Sequence, residues 1–299
     1  MIFPSGNQYL LQNSDVTATI TQVAAGIRVF QKNGIDLTEP FPSTMAAPSA
    51  DGIVLVPWPN RVKDGAWLLD GVQQQLALTE PRFQNASHGL LRYRPYELVE
   101  HSKTSVTQRA MIFPEPGYPF TLDTTVTHTL DETGLTVTHQ ITNRGESRAP
   151  VAIGAHPYLR IGDIPPERLS LISPTQTRFL TDERNNVIGE APVAGTEYDL
   201  SCGVRLSELE SDRGFSVPAG ARHELRSDDG QSITLWGDDS FGYVQIFTHR
   251  SFATRPAGSP ALAVEPMTAP TNAFNTGRGV RWLEPGEMWV AQWGIRPEL

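Results

Sequence analysis

The sequence predicts an all-β protein: one large antiparallel domain, residues 1–299, built as a sandwich of extended sheets. Three observations carry this reading. Helical periodicity is scarce, whereas period-two alternation of apolar and polar residues is common. The 24 prolines and 25 glycines are spread along the whole chain, the punctuation that many short strands need. No low-complexity linker or internal repeat divides the sequence.

The clearest pair of strands lies mid-chain. From Leu122 to Leu130 the even positions read Leu, Thr, Val, His, Leu, and the odd ones Asp, Thr, Thr, Thr. From Leu135 to Asn143 the odd positions read Leu, Val, His, Ile, Asn, against Thr, Thr, Gln, Thr. Asp131-Glu-Thr-Gly134 between them is a turn signal, so the two runs form an antiparallel hairpin with half-covered threonine faces. Further strands are expected at Ile53–Val56, Gln75–Leu78, Val106–Ile112, Val151–Gly154, Ser232–Trp236, Tyr243–His249, Ala261–Glu265 and Trp289–Ile295. Turn clusters such as Pro114–Pro119, Gly162–Pro166, Ser227–Gly230 and Ala257–Pro260 separate them.

Composition narrows the function classes. The net charge is −9, and no Lys/Arg-rich stripe exists, which argues against nucleic acid or an anionic membrane as partner. Cys202 is the one cysteine, so no intrachain disulfide holds the fold. The first residues lack a basic region followed by an apolar run, and no stretch reaches the length of a membrane span. A cytoplasmic protein, monomer or homodimer, is the expectation.

Five polar clusters close apolar runs. In Ala261-Leu-Ala-Val-Glu265-Pro, alternation puts Leu262 and Val264 on one face and Ala261, Ala263 and Glu265 on the other. Pro266 and Pro270 stiffen the exit, so a rigidly held carboxylate could act as a general base. A lone strand-end glutamate is ordinarily just solvated; the other clusters change that weighting. Pro57-Trp-Pro-Asn-Arg61 offers Asn60 and Arg61 as donors beside Trp58 as a flat platform, a combination suited to a sugar. Alone, Arg61 would be expected to pair with a carboxylate. Asn85-Ala-Ser-His88-Gly89-Leu-Leu-Arg92 places a histidine before a flexible glycine. Gly154-Ala-His156-Pro157-Tyr158 locks a second histidine ahead of a proline. In Tyr243-Val-Gln245-Ile-Phe247-Thr-His249, Gln245 stands between two aromatics.

The other histidines need no chemistry: His128 and His139 sit on apolar faces, and His101 and His223 lie in polar stretches where solvation is expected. Two histidines and a carboxylate could bind iron, yet no H-x-H, H-E-x-x-H or cysteine pair accompanies them, so no metal is expected. G-x-S-x-G, G-x-G-x-x-G and G-x-x-x-x-G-K are absent, which argues against a serine hydrolase or a nucleotide cofactor.

These motifs, in this order, resemble the aldose 1-epimerase (mutarotase) family. The matching pieces are Pro57-Trp-Pro-Asn-Arg-Val62 with Asp64-Gly65, His88-Gly89 with Arg92, Gly117-Tyr-Pro119, Gly154-Ala-His-Pro-Tyr158, Val244-Gln-Ile-Phe-Thr248 and Glu265-Pro-Met-Thr-Ala-Pro270. The resemblance implies a galactose mutarotase-like β-supersandwich that interconverts the α and β anomers of a free aldose without a cofactor. It makes Glu265 the general base and His156 the general acid, with Asn60, Arg61, His88 and Gln245 binding substrate. The family's further aspartate is matched by Asp212, with Asp199 as competitor. Tyr96 departs from the pattern, since related sequences often carry Trp there; an aromatic pocket wall is still expected.

The chemistry can be reasoned without the family. Opening a cyclic hemiacetal removes the anomeric hydroxyl proton while protonating the ring oxygen, so two groups of opposite role must flank the sugar. On this reading Glu265 starts ionised and His156 protonated, with Tyr158 orienting the imidazole and, like Trp58, expected to touch the substrate. One rival is a hexose-6-phosphate epimerase, for which Arg92, Arg94, Arg250 and Arg255 could supply cations. Another is a non-catalytic carbohydrate-binding protein, which would not need Glu265 and His156 together.

Overall fold

The hairpin expected around Asp131–Gly134 forms the spine of the larger sheet. In a computed structural model, which describes residues 2–299, strand Leu122–Asp131 pairs with Gly134–Asn143 from Leu122↔Asn143 to Asp131↔Gly134. Asp131 Oδ1 accepts hydrogen bonds from the backbone N–H of Thr133 (2.7 Å) and Gly134 (3.1 Å). At Gly134 φ is 139°, and a Cβ would lie 2.2 Å from the Ile295 carbonyl oxygen. Only glycine fits this turn.

Nine strands complete that sheet, in the order Glu97–His101, Ser105–Ile112, Leu122–Asp131, Gly134–Asn143, Met288–Glu298, Ser232–Gly237, Arg222–Ser227, Leu169–Ile172, Val204–Arg205. An eight-stranded sheet follows the order Val187–Pro192, Thr177–Thr181, Asp212–Ser216, Tyr243–His249, Ala261–Met267, Gly154–Ala155, Val54–Leu55, with Tyr158–Leu159 also paired to Ala261–Met267. A four-stranded meander, Gln8–Asp36, packs alongside. All strand pairings within these sheets are antiparallel.

One hydrophobic cluster joins the inner faces. It takes Val126, Val137, Ile141 and Trp293 from the larger sheet and Val244, Ile246, Leu262 and Val264 from the smaller one. Each such side chain contributes about 1.5–3 kcal/mol by leaving water. Ala261 and Ala263 point the other way, as alternation requires. Tyr158, Phe252 and Phe247 cover them, so the small face serves aromatic packing instead of a ligand.

Three sequence expectations shift. Val151–Gly154 is not one strand: Ala149–Val151 pairs with Arg281–Leu283, and Gly154–Ala155 belongs to the eight-stranded sheet. Residues 76–78 are not strand: the pairing falls earlier, at Val72–Gln75 with Ala66–Leu69, because Asp70-Gly71 supplies the two left-handed residues of a tight hairpin turn. His223 is not solvated. On strand Arg222–Ser227 it alternates inward, is 3% exposed, and its Nδ1 sits 2.8 Å from Ser173 Oγ. His128 and His139 are fully buried, as their apolar faces implied. Trp293 Nε1 donates to His139 Nε2 at 3.0 Å, whereas both nitrogens of His128 lack a partner.

Burial pushes His128 and His139 down to about 3 and His223 to about 4. The unfolded chain therefore binds protons that the fold refuses, and these histidines make stability fall as pH drops below about 6.5. Asp51 and Glu265, shifted upward, act in the opposite sense. Removing one titrating core histidine isolates its contribution. His128→Leu should flatten the dependence of urea unfolding free energy on pH between 4 and 6 by up to about 1.4 kcal/mol per pH unit. An unchanged slope would contradict a neutral buried His128.

Candidate active site

Strand register brings the acidic and amide groups together. Gln245 on Tyr243–His249 lies directly opposite Glu265 on Ala261–Met267. On the far side of Tyr243–His249, Asp212 pairs with Phe247. Across the other edge Gly154 pairs with Met267, and the chain then turns to present His156. The histidine is clamped through its backbone: its N–H donates to Ile53 O (3.0 Å), and its carbonyl accepts from Gly52 N–H (2.9 Å). The result is His156 Nε2 at 3.3 Å from Glu265 Oε1, with side chains only 6% and 3% exposed.

A second wall comes from the loops after Val54–Leu55. Asn60 adopts φ 54° and its Oδ1 accepts from the Arg61 N–H at 2.9 Å. Its carbonyl accepts from the His88 N–H at 2.8 Å. Gly89 has φ 74°, and a Cβ there would lie 2.0 Å from Val56 O. That close approach lets the Leu90 N–H donate to the same carbonyl and holds His88 over the cleft. The His88 and His156 rings meet edge-on, with centroids 5.4 Å apart.

These walls enclose a cleft of about 470 Å³ lined by Asn60, Arg61, His88, His156, Asp212, Gln245 and Glu265. A cavity of about 500 Å³ between residues 90–97 and 109–115 has no histidine, so size alone does not single out the site. Convergent polar chemistry does. Arg61 makes a two-pronged pair with Glu80 (2.7 and 2.9 Å) and also reaches the cleft, so its expected carboxylate partner and its expected site position coexist. Among the described residues, no cluster of three or more His, Cys, Asp or Glu is arranged to hold a metal ion.

Two expected binders lie elsewhere. Trp58 is 2% exposed and packs into the core against Phe274 and Tyr118, with centroids at 5.5 and 6.2 Å. Burying so large an apolar ring outweighs any platform role, and the left-handed turn at Asn60 lets the polar neighbours face the cleft instead. Tyr158 is fully buried beneath the cleft wall. Its hydroxyl donates to Ser49 O at 3.3 Å, and its ring lies 5.2 Å from that of His156. Tyr96, expected as a pocket wall, belongs to the core. Of the two aspartates, Asp212 lines the cleft, whereas Asp199 caps an exposed turn through Ser201.

Glu80, Arg82, Phe83 and Tyr93 also line the cleft without having been singled out. Thr79-Glu-Pro-Arg-Phe83 carried a weak signal, a polar proline-containing stretch just ahead of the His88 cluster. The four arginines considered for a phosphate separate widely. Arg92 reaches the cleft, Arg94 lines the other cavity, Arg250 pairs with Glu210, and Arg255 pairs with buried Glu39.

Electrostatics alter one expectation. Burial, then the nearby Arg92, Arg61 and His249, pushes His156 down to about 3. Burial, reinforced by Asp212 and opposed by Arg61, raises Glu265 well above the carboxylate range. Burial chiefly, with Arg92, His156 and Arg61, lowers His88 as well. In the free cleft, desolvation therefore works against both the ionised Glu265 and the protonated His156 expected from sequence. Nitrogen-15 NMR should show a neutral His156 imidazole from pH 8 down to about 5. An imidazolium signature at pH 7 would contradict this.

Comparisons with known proteins identify the family and the fold. The aldose 1-epimerase family profile matches residues 7–296, and the chain belongs to that family. It is 31% identical over 287 residues to the uncharacterized protein YihR of Escherichia coli K12, covering 95% of this chain and 91% of that one. The fold is similar to that of a putative aldose 1-epimerase from Escherichia coli K12 (TM-score 0.84, 20% identity, 98% and 99% of the chains covered). It is equally similar to the aldose epimerase homologue of C. elegans (TM-score 0.85, 19% identity, 98% of each chain). The fold is thus the galactose mutarotase-like β-supersandwich.

Proposed function

We propose that the protein is an aldose 1-epimerase that interconverts the α and β anomers of a free hexose such as glucose or galactose. The observation that carries this is the buried Glu265–His156 contact at 3.3 Å in a polar cleft. A carbohydrate-binding protein gains nothing from placing two titratable groups together out of water.

The pair needs to hold a single proton. In the free cleft that proton resides on Glu265. A bound sugar brings hydroxyl donors to the carboxylate, and Arg61 already favours its ionised form. The proton then passes across the 3.3 Å contact to His156. Glu265 takes the proton of the C1 hydroxyl while His156 gives one to the ring oxygen, and the C1–O5 bond opens. Rotation about C1–C2 exposes the other carbonyl face, and closure reverses both transfers. His88, Asn60 and Gln245 bind hydroxyls and steady the charge that develops during opening. No step calls on a cofactor.

Polarimetry of freshly dissolved α-glucose, α-galactose and glucose 6-phosphate, side by side, tests the reading. Acceleration of the neutral sugars is expected, since within the cleft Arg61 is matched by Glu80 and Asp212 adds a carboxylate. A preference for glucose 6-phosphate would instead point to Arg92 and Arg82 as its ligands.

Glu265→Gln should lower kcat by about 10²–10⁴-fold while sugar binding stays within a few-fold, because Gln keeps the shape but cannot take a proton. Near-normal turnover would remove Glu265 from the mechanism. The two histidines separate by pH. His156→Asn should lower kcat strongly and flatten the alkaline limb of the rate profile, where the pair loses its one proton. His88→Asn should raise KM or reduce kcat yet keep that limb. The opposite pattern would exchange their roles. Dialysis against EDTA should leave activity unchanged; loss restored by divalent metal would overturn the acid–base assignment.

A further inference from the structure

We infer that Asn185, outside the cleft and outside every motif considered so far, is a positioning residue that sets sugar affinity by fixing Asp212 and, through it, Gln245. Asn185 Nδ2 donates to Asp212 Oδ2 at 3.0 Å, and Gln245 Nε2 donates to Asp212 Oδ1 at 2.7 Å. Both carboxylate oxygens are thereby engaged from opposite sides. A carboxylate only accepts, so the Gln245 amide must turn its NH₂ toward Asp212 and keep its Oε1 as an acceptor. Gln245 stands directly opposite Glu265, so the chain Asn185–Asp212–Gln245 ends beside the acid–base pair.

The loop carrying Asn185 is built to hold still. It joins strands Thr177–Thr181 and Val187–Pro192, and Asp182 Oδ1 accepts from the backbone N–H of both Arg184 and Asn186 at 2.9 Å. Arg184 then ties the loop to the opposite rim. It reaches Asp64 Oδ1 (2.6 Å), Phe83 O (3.0 Å) and Gln84 O (3.3 Å), while its own carbonyl accepts from Asn85 Nδ2 (3.1 Å). Phe83 lines the cleft, and Asn85 opens the segment that ends in His88. Asn185 sits at φ 57°, a left-handed conformation that asparagine tolerates better than most residues. The loop is thus tied to the Phe83–Asn85 segment through Arg184 and delivers one donor to Asp212 through Asn185.

This inference rests on the sugar-binding role given to the cleft above. Asn185→Gly suits the left-handed backbone, so it removes the carboxamide without straining the loop. Asn185→Asp keeps the shape but replaces the donor with a charge facing Asp212. Asn185→Gly should raise KM, and the calorimetric dissociation constant for the preferred sugar, by about two- to tenfold, the usual range for one lost hydrogen bond. Asn185→Asp should raise both further. In Asn185→Gly, kcat should hold within about twofold and the pH–rate profile should keep its shape, because Glu265 and His156 are untouched; Asn185→Asp, which adds a charge beside Asp212, is read by KM and dissociation constant alone. KM unchanged in both variants, or kcat falling with the melting temperature at constant KM, overturns the assignment while the epimerase reading stands. A wild-type protein that neither anomerises nor binds any aldose overturns both.

Discussion

The contact between His156 and Glu265, held out of water on one face of the smaller sheet, is the interaction to which the rest of the structure answers. Two titratable groups in that position lose hydration that their mutual attraction alone does not restore. The fold keeps them there by fixing both backbones. Glu265 lies inside a strand paired on both sides, and His156 is clamped by Gly52 and Ile53. Desolvation then acts on both in opposite directions: it lowers the imidazole and raises the carboxyl, so each is biased towards its neutral form.

Around that pair the cleft combines a rigid floor with strained walls. The floor is β-sheet, where cross-strand register places Gln245 and Glu265 side by side to within a fraction of a residue spacing. The walls are loops in which Ser49, Ala50, Asn60 and His88 all adopt left-handed φ values between 50° and 64°. Non-glycine residues accept such conformations only when the surroundings impose them, and the cost concentrates at binding and catalytic sites. Here Gly52 and Gly89 absorb the closest backbone approaches, to Ile27 O and Val56 O respectively. His88 and His156 can then face each other without either loop moving.

The family and the fold narrow the chemistry, and on the epimerase reading proposed above affinity and substrate choice fall to side chains at the rim. Arg61 (paired with Glu80), Arg92, Arg82, Asp212 and Gln245 line the cleft, and Asn185 reaches it through Asp212. They act on the acid–base pair only through charge: Arg61 and Asp212 shift Glu265 in opposite directions, and Arg92 and Arg61 lower His156. On that reading, substrate preference can vary within such a scaffold while the Glu265–His156 pair stays the same.

The sequence by itself determined the all-β class, the central hairpin and its turn, and the membership of Asn60, Arg61, His88, His156, Gln245 and Glu265 in a shared motif order. Those features are local: alternation, a turn residue and a short motif are each set by neighbours along the chain. Only the tertiary structure decided between Asp212 and Asp199, since both are surface aspartates in polar stretches and differ only in what folds against them. It also removed Trp58 and Tyr158 from the cleft and buried His223, because which face of a segment meets the core depends on distant strands. The opposed shifts of Glu265 and His156 are likewise invisible in sequence. Desolvation is a property of the three-dimensional surroundings, and those are made by residues far apart in the chain.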